Sequence, residues 1–166
     1  MNRIEELKNN PIFAMSLSSK ELFHSNFWLW LFERNIAYAK TFFPDLKEIK
    51  AVTREQGHRD ITIWQTETLK KKSSQYDDAY VIENKFKSIP TKEQLIRYQA
   101  YLEDSKNESN NKSFLGGVLT GIEKPDFMDD LELDKWKFIS YNEIGENIKF
   151  VAEKVEKDGF EKASNH

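Results

Sequence analysis

Residues 79–86 read AYVIENKF, an apolar run that ends in a carboxylate, an amide and an ammonium group. An uninterrupted apolar run of this kind predicts a central strand that is buried on both faces of a sheet. Side chains alternate along a strand, so Val81, Glu83 and Lys85 are expected to share one face. Charged groups are seldom left unpaired in the middle of a sheet, and a polar site is therefore expected where this strand ends.

A second strand candidate places another carboxylate near the same point. Residues 59–65 read RDITIWQ, which is rich in β-branched and aromatic residues and carries Asp60 at its start. If this strand pairs antiparallel with the run at 79–86, the start of one strand lies beside the end of the other. Asp60 would then meet Glu83 and Lys85.

Two carboxylates beside an amine suit metal-assisted hydrolysis of phosphodiester bonds. Carboxylate oxygens bind divalent cations such as Mg²⁺, and a bound cation polarises a phosphoryl oxygen and lowers the pKa of a bound water. Lys85 would position or deprotonate that water, or stabilise the charge of the transition state. The same residues also fit a plain salt bridge at a strand end, in which Glu83 pairs with Lys85 or Asp60 pairs with Arg59.

The Glu-x-Lys triplet is weak evidence by itself, because the chain contains three of them, at 6–8, 48–50 and 83–85. Only the third follows an apolar, strand-like run, and only the third has an aspartate at the head of an earlier strand. The hypothesis therefore depends on the context of the triplet.

The remaining pattern predicts helices on either side of a sheet. Ser18 and Glu21 have the spacing of a capping box, and a helix is expected from Glu21 to Phe43, where no glycine or proline intervenes. The other expected elements are strands at 49–55, 114–120 and 136–140 and helices at 91–103 and 142–157. This order predicts an α/β or α+β fold with a mixed sheet flanked by helices. One domain over 1–166 is expected, with a core at about 18–121 and a closing strand and helix at about 136–158.

Composition excludes several classes of protein. The 166 residues include 39% hydrophobic and 13% aromatic residues, enough for a buried core, and the net charge of −3 excludes a globally basic nucleic-acid binder but not a local basic surface. The absence of cysteine excludes disulfides, a cysteine zinc site and a thiol nucleophile, and fits the cytoplasm. The longest apolar run, residues 27–32, is too short to cross a bilayer, so no membrane association is expected.

The succession HSNFWLWLFE, RDITI, VIENKF and EQLIRYQAYL resembles the PD-(D/E)XK nuclease superfamily over about residues 18–120. It is most similar to a bacterial branch whose first helix carries a His-Ser pair. The resemblance implies a restriction-endonuclease-like αβββαβ core and an Mg²⁺- or Mn²⁺-dependent nuclease that acts on DNA in bacterial defence or DNA processing. Arg59 stands where the superfamily name has proline, a position that varies widely in the superfamily.

The resemblance also assigns roles to individual residues. It implies the catalytic residues Asp60, Glu83, Lys85, Gln94 and Glu21, with Asp60, Glu83 and Glu55 as metal ligands. The expected substrate contacts are His24, Ser25 and Tyr98 from the resemblance, and the basic run Lys70, Lys71 and Lys72 as a hairpin tip that grips the DNA backbone. Structural roles are open for several of them: a helix cap for Glu21, a core pair for His24 and Ser25, and a solvated loop for the lysines.

Other functions remain open on the sequence alone. The short length and the acidic net charge also fit a catalytically silent interaction module with the nuclease fold, or a fragment of a larger nuclease. A weaker alternative is an acidic immunity-type protein, for which residues 126–134, DFMDDLELD, would form the binding patch. A nuclease that cuts both strands with paired sites would need to be a homodimer.

Overall fold

A five-stranded mixed sheet organises the residues that the computed structural model describes, which are 22–55, 59–65, 78–85, 90–103 and 113–164. The elements in chain order are α1 Leu22–Arg34, α2 Ile36–Lys40, β1 Ala51–Arg54, β2 Ile61–Trp64, β3 Asp78–Asn84, α3 Lys92–Glu103, β4 Ser113–Gly121, β5 Trp136–Ser140 and α4 Tyr141–Ser164. The predicted α+β class, with a mixed sheet flanked by helices, is confirmed.

The strands follow one another across the sheet in the order β1-β2-β3-β4-β5. β2 runs antiparallel to both β1 and β3, whereas β3, β4 and β5 run parallel to one another. The five residues at the centre of β3, 79–83, are all buried, as expected for a strand covered on both faces. The carboxyl ends of β3, β4 and β5 therefore lie along the same edge of the sheet as the start of β2.

The two faces of the sheet are covered by different helices. Tyr80 and Ile82 of β3 point into a core that includes residues of α1, α2 and α4, such as Trp28, Ala39 and Ile144. The alternate residues of β3 point into a second core, made with α3 and with two 3₁₀ turns that precede β5. Its members include Ala79, Val81, Leu95, Tyr98, Met128 and Leu133. Glu83 and Lys85 continue the α3 face of the sheet.

The expected uninterrupted helix over 21–43 is wrong, because α1 ends at Arg34 and α2 begins at Ile36. Asn35 has extended backbone angles, φ −156° and ψ 126°, and its side chain accepts a hydrogen bond from the N–H of Ala37 at 2.9 Å. An asparagine side chain competes with the helix for backbone donors and makes a good N-cap, so one residue ends one helix and starts the next.

The segment that was expected to be irregular, 123–135, contains 3₁₀ turns at Asp126–Asp129 and Leu131–Leu133. Lys92 at the start of α3 pairs with Asp130 at 2.5 Å and also with Glu132. Lys124 pairs with Asp129 at 2.5 Å. These two lysines pair with three of the five acidic residues in the patch on which an immunity-type function would depend.

Close packing of β4 against β5 makes Gly117 a sensitive position. A Cβ atom built on Gly117 would lie 2.3–2.5 Å from three ring carbons of Trp136, which is itself 5% exposed. We expect Gly117→Ala to lower the free energy of unfolding by about 2 kcal/mol or more, as overpacking of a core does, measured by urea denaturation. Gly145→Ala is the matched control, because a Cβ atom at Gly145 would have no neighbour within 4 Å and alanine favours the helix. Equal stability of Gly117→Ala and the unmodified protein would contradict this packing.

Among the described residues, no helix combines the length and the apolar character that a membrane span requires.

Candidate active site

The register of β2 and β3 brings the two predicted acids together. Ile61 pairs with Ile82 at the end of the antiparallel ladder, which places Asp60, the residue just before β2, next to Glu83. Directly opposed side chains in such a ladder have Cβ atoms about 5 Å apart and share one face. The backbone N–H of Asn84 donates to Oδ2 of Asp60 at 2.7 Å, which fixes the aspartate at the end of β3.

Glu83 is buried, with 1% of its surface exposed, and one of its oxygens accepts two hydrogen bonds. Lys85 Nζ lies 2.7 Å from Oε1, and Gln94 Nε2 lies 2.9 Å from the same atom. Gln94 also donates to the hydroxyl of Tyr98, one turn further along α3, at 2.6 Å. The strand end and α3 are therefore joined by a polar network that begins at Glu83.

The environment raises the pKa of Glu83 to about 7. Burial is the main cause, because it penalises the charged form, and the neighbouring negative charge of Asp60 adds to it. The Lys85 ammonium, and to a lesser extent the backbone of Asp60, act in the opposite direction. The metal-free carboxyl group is therefore poised to lose or gain a proton near neutral pH.

Lys85 is held as a cation in this environment. Burial alone would lower its pKa, but the hydrogen bond and ion pair with Glu83 and the charge of Asp60 outweigh burial, and the pKa is raised. A lysine that acts as a general base needs a lowered pKa. The geometry therefore favours a role for Lys85 in stabilising negative charge over the base role that the sequence left open.

The donor set of this site fits a magnesium-like cation. Glu83 Oε2 is buried and has no hydrogen-bond partner of normal geometry among the described residues. A buried carboxylate oxygen that lacks a well-aligned hydrogen bond is costly, and a cation would satisfy it. The described ranges contain no group of three or more His, Asp or Glu residues that could hold a metal ion. A cation here would thus be held by Asp60 and Glu83, with water as the remaining ligands, which is how Mg²⁺ is commonly bound.

Glu55, the third expected ligand, is not brought into an acid cluster with these two residues. It is exposed, and its backbone adopts the left-handed region at φ 53°. Its N–H donates to the carbonyl of Asp60 at 3.3 Å. Because Glu55 has a positive φ, the regular alternation of side chains between the two faces of the sheet ends at Arg54. The alternation in β1 therefore does not predict on which face the Glu55 side chain lies.

The His-Ser pair of α1 lies on the opposite side of the sheet from α3. Ser25 is 1% exposed, and its hydroxyl makes no hydrogen bond within the described ranges, which favours packing over contact with a substrate. His24 is half-buried, and its ring stacks on Tyr141 with centroids 5.2 Å apart. Burial lowers the pKa of His24, so the imidazole is neutral at pH 7.

The other expected residues divide into two groups. Tyr98 is 2% exposed and belongs to the polar network of α3, so it is placed to orient Gln94 and has little surface for a substrate. Glu21 and the basic run at 70–72 lie outside the described residues, and their roles stay predictions.

A family model described as the PD-(D/E)XK nuclease superfamily matches residues 10–164 of the chain. The chain belongs to this superfamily. No significant match to a curated protein or to a solved structure was found. Membership in the superfamily indicates a nuclease, and it confirms the family that the sequence motifs predicted; the branch with the His-Ser pair stays a prediction.

Sequence reasoning missed residues that the structure places beside the superfamily motif. Asn84, the middle residue of the Glu-x-Lys triplet, accepts hydrogen bonds at Oδ1 from Thr120 at 2.9 Å and from the hydroxyl of Tyr141. A parallel arrangement of β3, β4 and β5 would have predicted this contact. Thr120 lies at the carboxyl end of β4 and Tyr141 directly follows β5, so both lie beside the end of β3.

Arg59, the alternative salt-bridge partner expected for Asp60, has other partners instead. It is 2% exposed, donates to Thr62 Oγ1 at 3.1 Å, and places its guanidinium 4.9 Å from the centre of the Tyr101 ring. A bridge between Arg59 and Asp60 therefore does not explain the aspartate. The alternative bridge between Glu83 and Lys85 does form, as part of the larger network.

The raised pKa of Glu83 predicts how the stability of the metal-free protein depends on pH. The ordinary pKa is 4.5 and the folded value is about 7, so between these values the folded state holds a proton that the unfolded state has released. This contribution to stability is complete below pH 4.5 and is lost as the pH rises through 7. The free energy of unfolding, measured in urea with EDTA, should fall over this range relative to Glu83→Gln, which cannot titrate. A difference between the two proteins that does not change with pH would refute the shift.

Proposed function

We propose that the chain is an Mg²⁺- or Mn²⁺-dependent nuclease that hydrolyses phosphodiester bonds of DNA. The observation that carries the proposal is a buried glutamate opposite an aspartate, with a lysine ammonium 2.7 Å from the glutamate. Membership in the PD-(D/E)XK nuclease superfamily supports nuclease activity, and the choice of DNA rests on the same membership. The site residues contribute the hydrolytic chemistry.

In the proposed mechanism, Asp60 and Glu83 would hold the cation through carboxylate oxygens. A cation held there would supply the Lewis acid that polarises a phosphoryl oxygen and lowers the pKa of a water molecule. Lys85, as an ammonium, stabilises the negative charge that develops on the phosphoryl group. Gln94 donates to Oε1 of Glu83 and so restrains the carboxylate, and Tyr98 restrains Gln94 in turn.

The proposal extends to the cellular location of the protein, its biological role and its contacts with DNA. The nuclease is proposed to act in the cytoplasm, which the absence of cysteine fits, in defence against foreign DNA or in DNA processing. The Lys70-Lys71-Lys72 run would contact the DNA backbone, and binding would then weaken steeply with salt. The whole chain would form one domain, and double-strand cuts by paired sites would require a homodimer.

A cleavage assay tests the proposal. The purified protein is incubated with supercoiled plasmid, linear duplex, single-stranded DNA and RNA, in Mg²⁺, Mn²⁺, Ca²⁺ or EDTA. We expect cleavage of DNA in Mg²⁺ or Mn²⁺ and none in EDTA. Cleavage of RNA alone would correct the substrate class. Duplex binding in Ca²⁺ without cleavage in any metal would indicate a silent binding module, and neither binding nor cleavage would indicate an interaction module.

A further inference from the structure

Asn84 connects the two faces of the sheet at the end of β3. Glu83 and Lys85, its neighbours in the chain, belong to the face that carries the candidate metal ligands. Because side chains alternate, Asn84 points to the opposite face, where its Oδ1 accepts from Thr120 at 2.9 Å and from the hydroxyl of Tyr141. Two hydroxyl donors from two other elements, β4 and α4, therefore meet on one amide oxygen.

The backbone of the same residue holds a candidate metal ligand. The N–H of Asn84 donates to Oδ2 of Asp60 at 2.7 Å, a short hydrogen bond to a charged acceptor. The direction of the Asn84 N–H depends on the peptide plane that Asn84 shares with Glu83, and therefore on the backbone angles on both sides of that plane. Restraining the Asn84 side chain from the far face therefore restrains the N–H that orients Asp60.

Tyr141 is well placed to act as a fixed donor in this arrangement. It is the first residue of α4, directly after β5, and its ring stacks on His24 of α1 with an interplanar angle of 27°. Burial raises the pKa of Tyr141, and with the negative charge of Asp60 it outweighs the opposing effect of the nearby Thr120 hydroxyl, so the Tyr141 hydroxyl keeps its proton at physiological pH. Stacking on His24 restrains the Tyr141 ring and so keeps its hydroxyl next to Oδ1 of Asn84.

We propose that Tyr141 is a positioning residue of the nuclease site, which orients the metal ligand Asp60 through the side chain and backbone N–H of Asn84. This inference rests on the proposed function, because it assumes that Asp60 binds the cation. Hydrogen-bond partners of metal ligands fix the orientation of those ligands, and their loss typically weakens metal binding by about 10- to 100-fold.

Titration with Mn²⁺ alone tests the inference on the intact chain. Tyr141→Phe keeps the stacked ring and removes only the hydroxyl, and it should weaken Mn²⁺ binding about tenfold. Tyr38→Phe is the matched control, because Tyr38 is a half-buried tyrosine in α2 that packs against the core, and it should bind Mn²⁺ as the unmodified protein does. Melting temperatures of both variants, measured without metal, should stay close to that of the unmodified protein.

A double-mutant cycle tests the route through Asn84. In an Asn84→Ala background, or Asn84→Ser if the alanine variant does not fold, adding Tyr141→Phe should change Mn²⁺ affinity no further. Additive losses would overturn the route, and normal Mn²⁺ affinity of Tyr141→Phe would overturn the inference while leaving the proposed function intact. If the unmodified protein bound no Mn²⁺, the proposed function itself would fail, together with the role of Tyr141.

Discussion

Replacing Lys85 with methionine should reduce Mg²⁺-dependent cleavage about a thousandfold. Methionine keeps much of the length of the side chain and removes the ammonium group that lies 2.7 Å from Glu83. Loss of one group that stabilises transition-state charge in a water-poor site commonly costs a factor of about 10²–10³ in turnover. The measurement is the rate of plasmid nicking at saturating Mg²⁺, where the loss should appear in kcat.

The Lys85 experiment needs controls for folding and for charge. Removing one partner of a buried ion pair can destabilise a protein, so the circular dichroism spectrum and the melting temperature are measured beside the rate. The double variant Lys85→Met with Glu83→Gln removes both charges of this ion pair. It should also be inactive, but it does not leave the Glu83 carboxylate buried without its lysine partner. Lys149→Met, on an exposed position of α4, is the matched surface control. Cleavage by Lys85→Met at the unmodified rate would remove Lys85 from the mechanism.

Replacing Asp60 with asparagine should reduce cleavage about a thousandfold, with little effect on the fold. Asparagine has the same shape, and its amide oxygen can still accept the hydrogen bond from the N–H of Asn84. The asparagine would carry no charge, so only one of the two carboxylates that would hold the cation remains. Turnover should therefore fall by about three orders of magnitude. The charge of Asp60 also contributes to the raised pKa of Glu83, so that pKa should move back toward its ordinary value.

Two measurements examine the Asp60→Asn prediction. Plasmid nicking in Mn²⁺ reports the activity, and the pH dependence of unfolding reports the pKa of Glu83. Asp134→Asn, at an exposed aspartate outside the site, should behave as the unmodified protein in both assays. Substantial nicking by Asp60→Asn would show that the aspartate does not bind the catalytic ion.

The sheet and the acid pair were predictable because their patterns are local and regular. The apolar run at 79–82 and the two-residue period of a strand are enough to indicate a strand buried on both faces. The β-branched run of β2 then places Asp60 opposite Glu83, provided that the two strands are antiparallel, as they are. The contact between Gln94 and Glu83 was expected only from the family resemblance, since a glutamine on a helix has no pattern of its own.

Other features depend on competition between local and distant contacts, which a pattern of apolar residues does not encode. The break at Asn35 results from one side chain that accepts the N–H of Ala37 and overrides an otherwise continuous helical pattern. Tyr141 and Asn84 lie 57 positions apart in the chain, and the parallel sheet alone brings them together. The left-handed backbone of Glu55 likewise cannot be read from strand alternation.

Titration with Mn²⁺ in the absence of DNA is the most direct test of a cation shared by Asp60 and Glu83. The unmodified protein, Asp60→Asn, Glu83→Gln and the double variant are titrated by calorimetry at pH 8, where Glu83 is largely ionised. Each single variant should bind Mn²⁺ much more weakly than the unmodified protein. The double variant should bind Mn²⁺ no more weakly than either single variant, because both acids hold the same ion. Mn²⁺ affinities of both single variants equal to that of the unmodified protein would contradict the account.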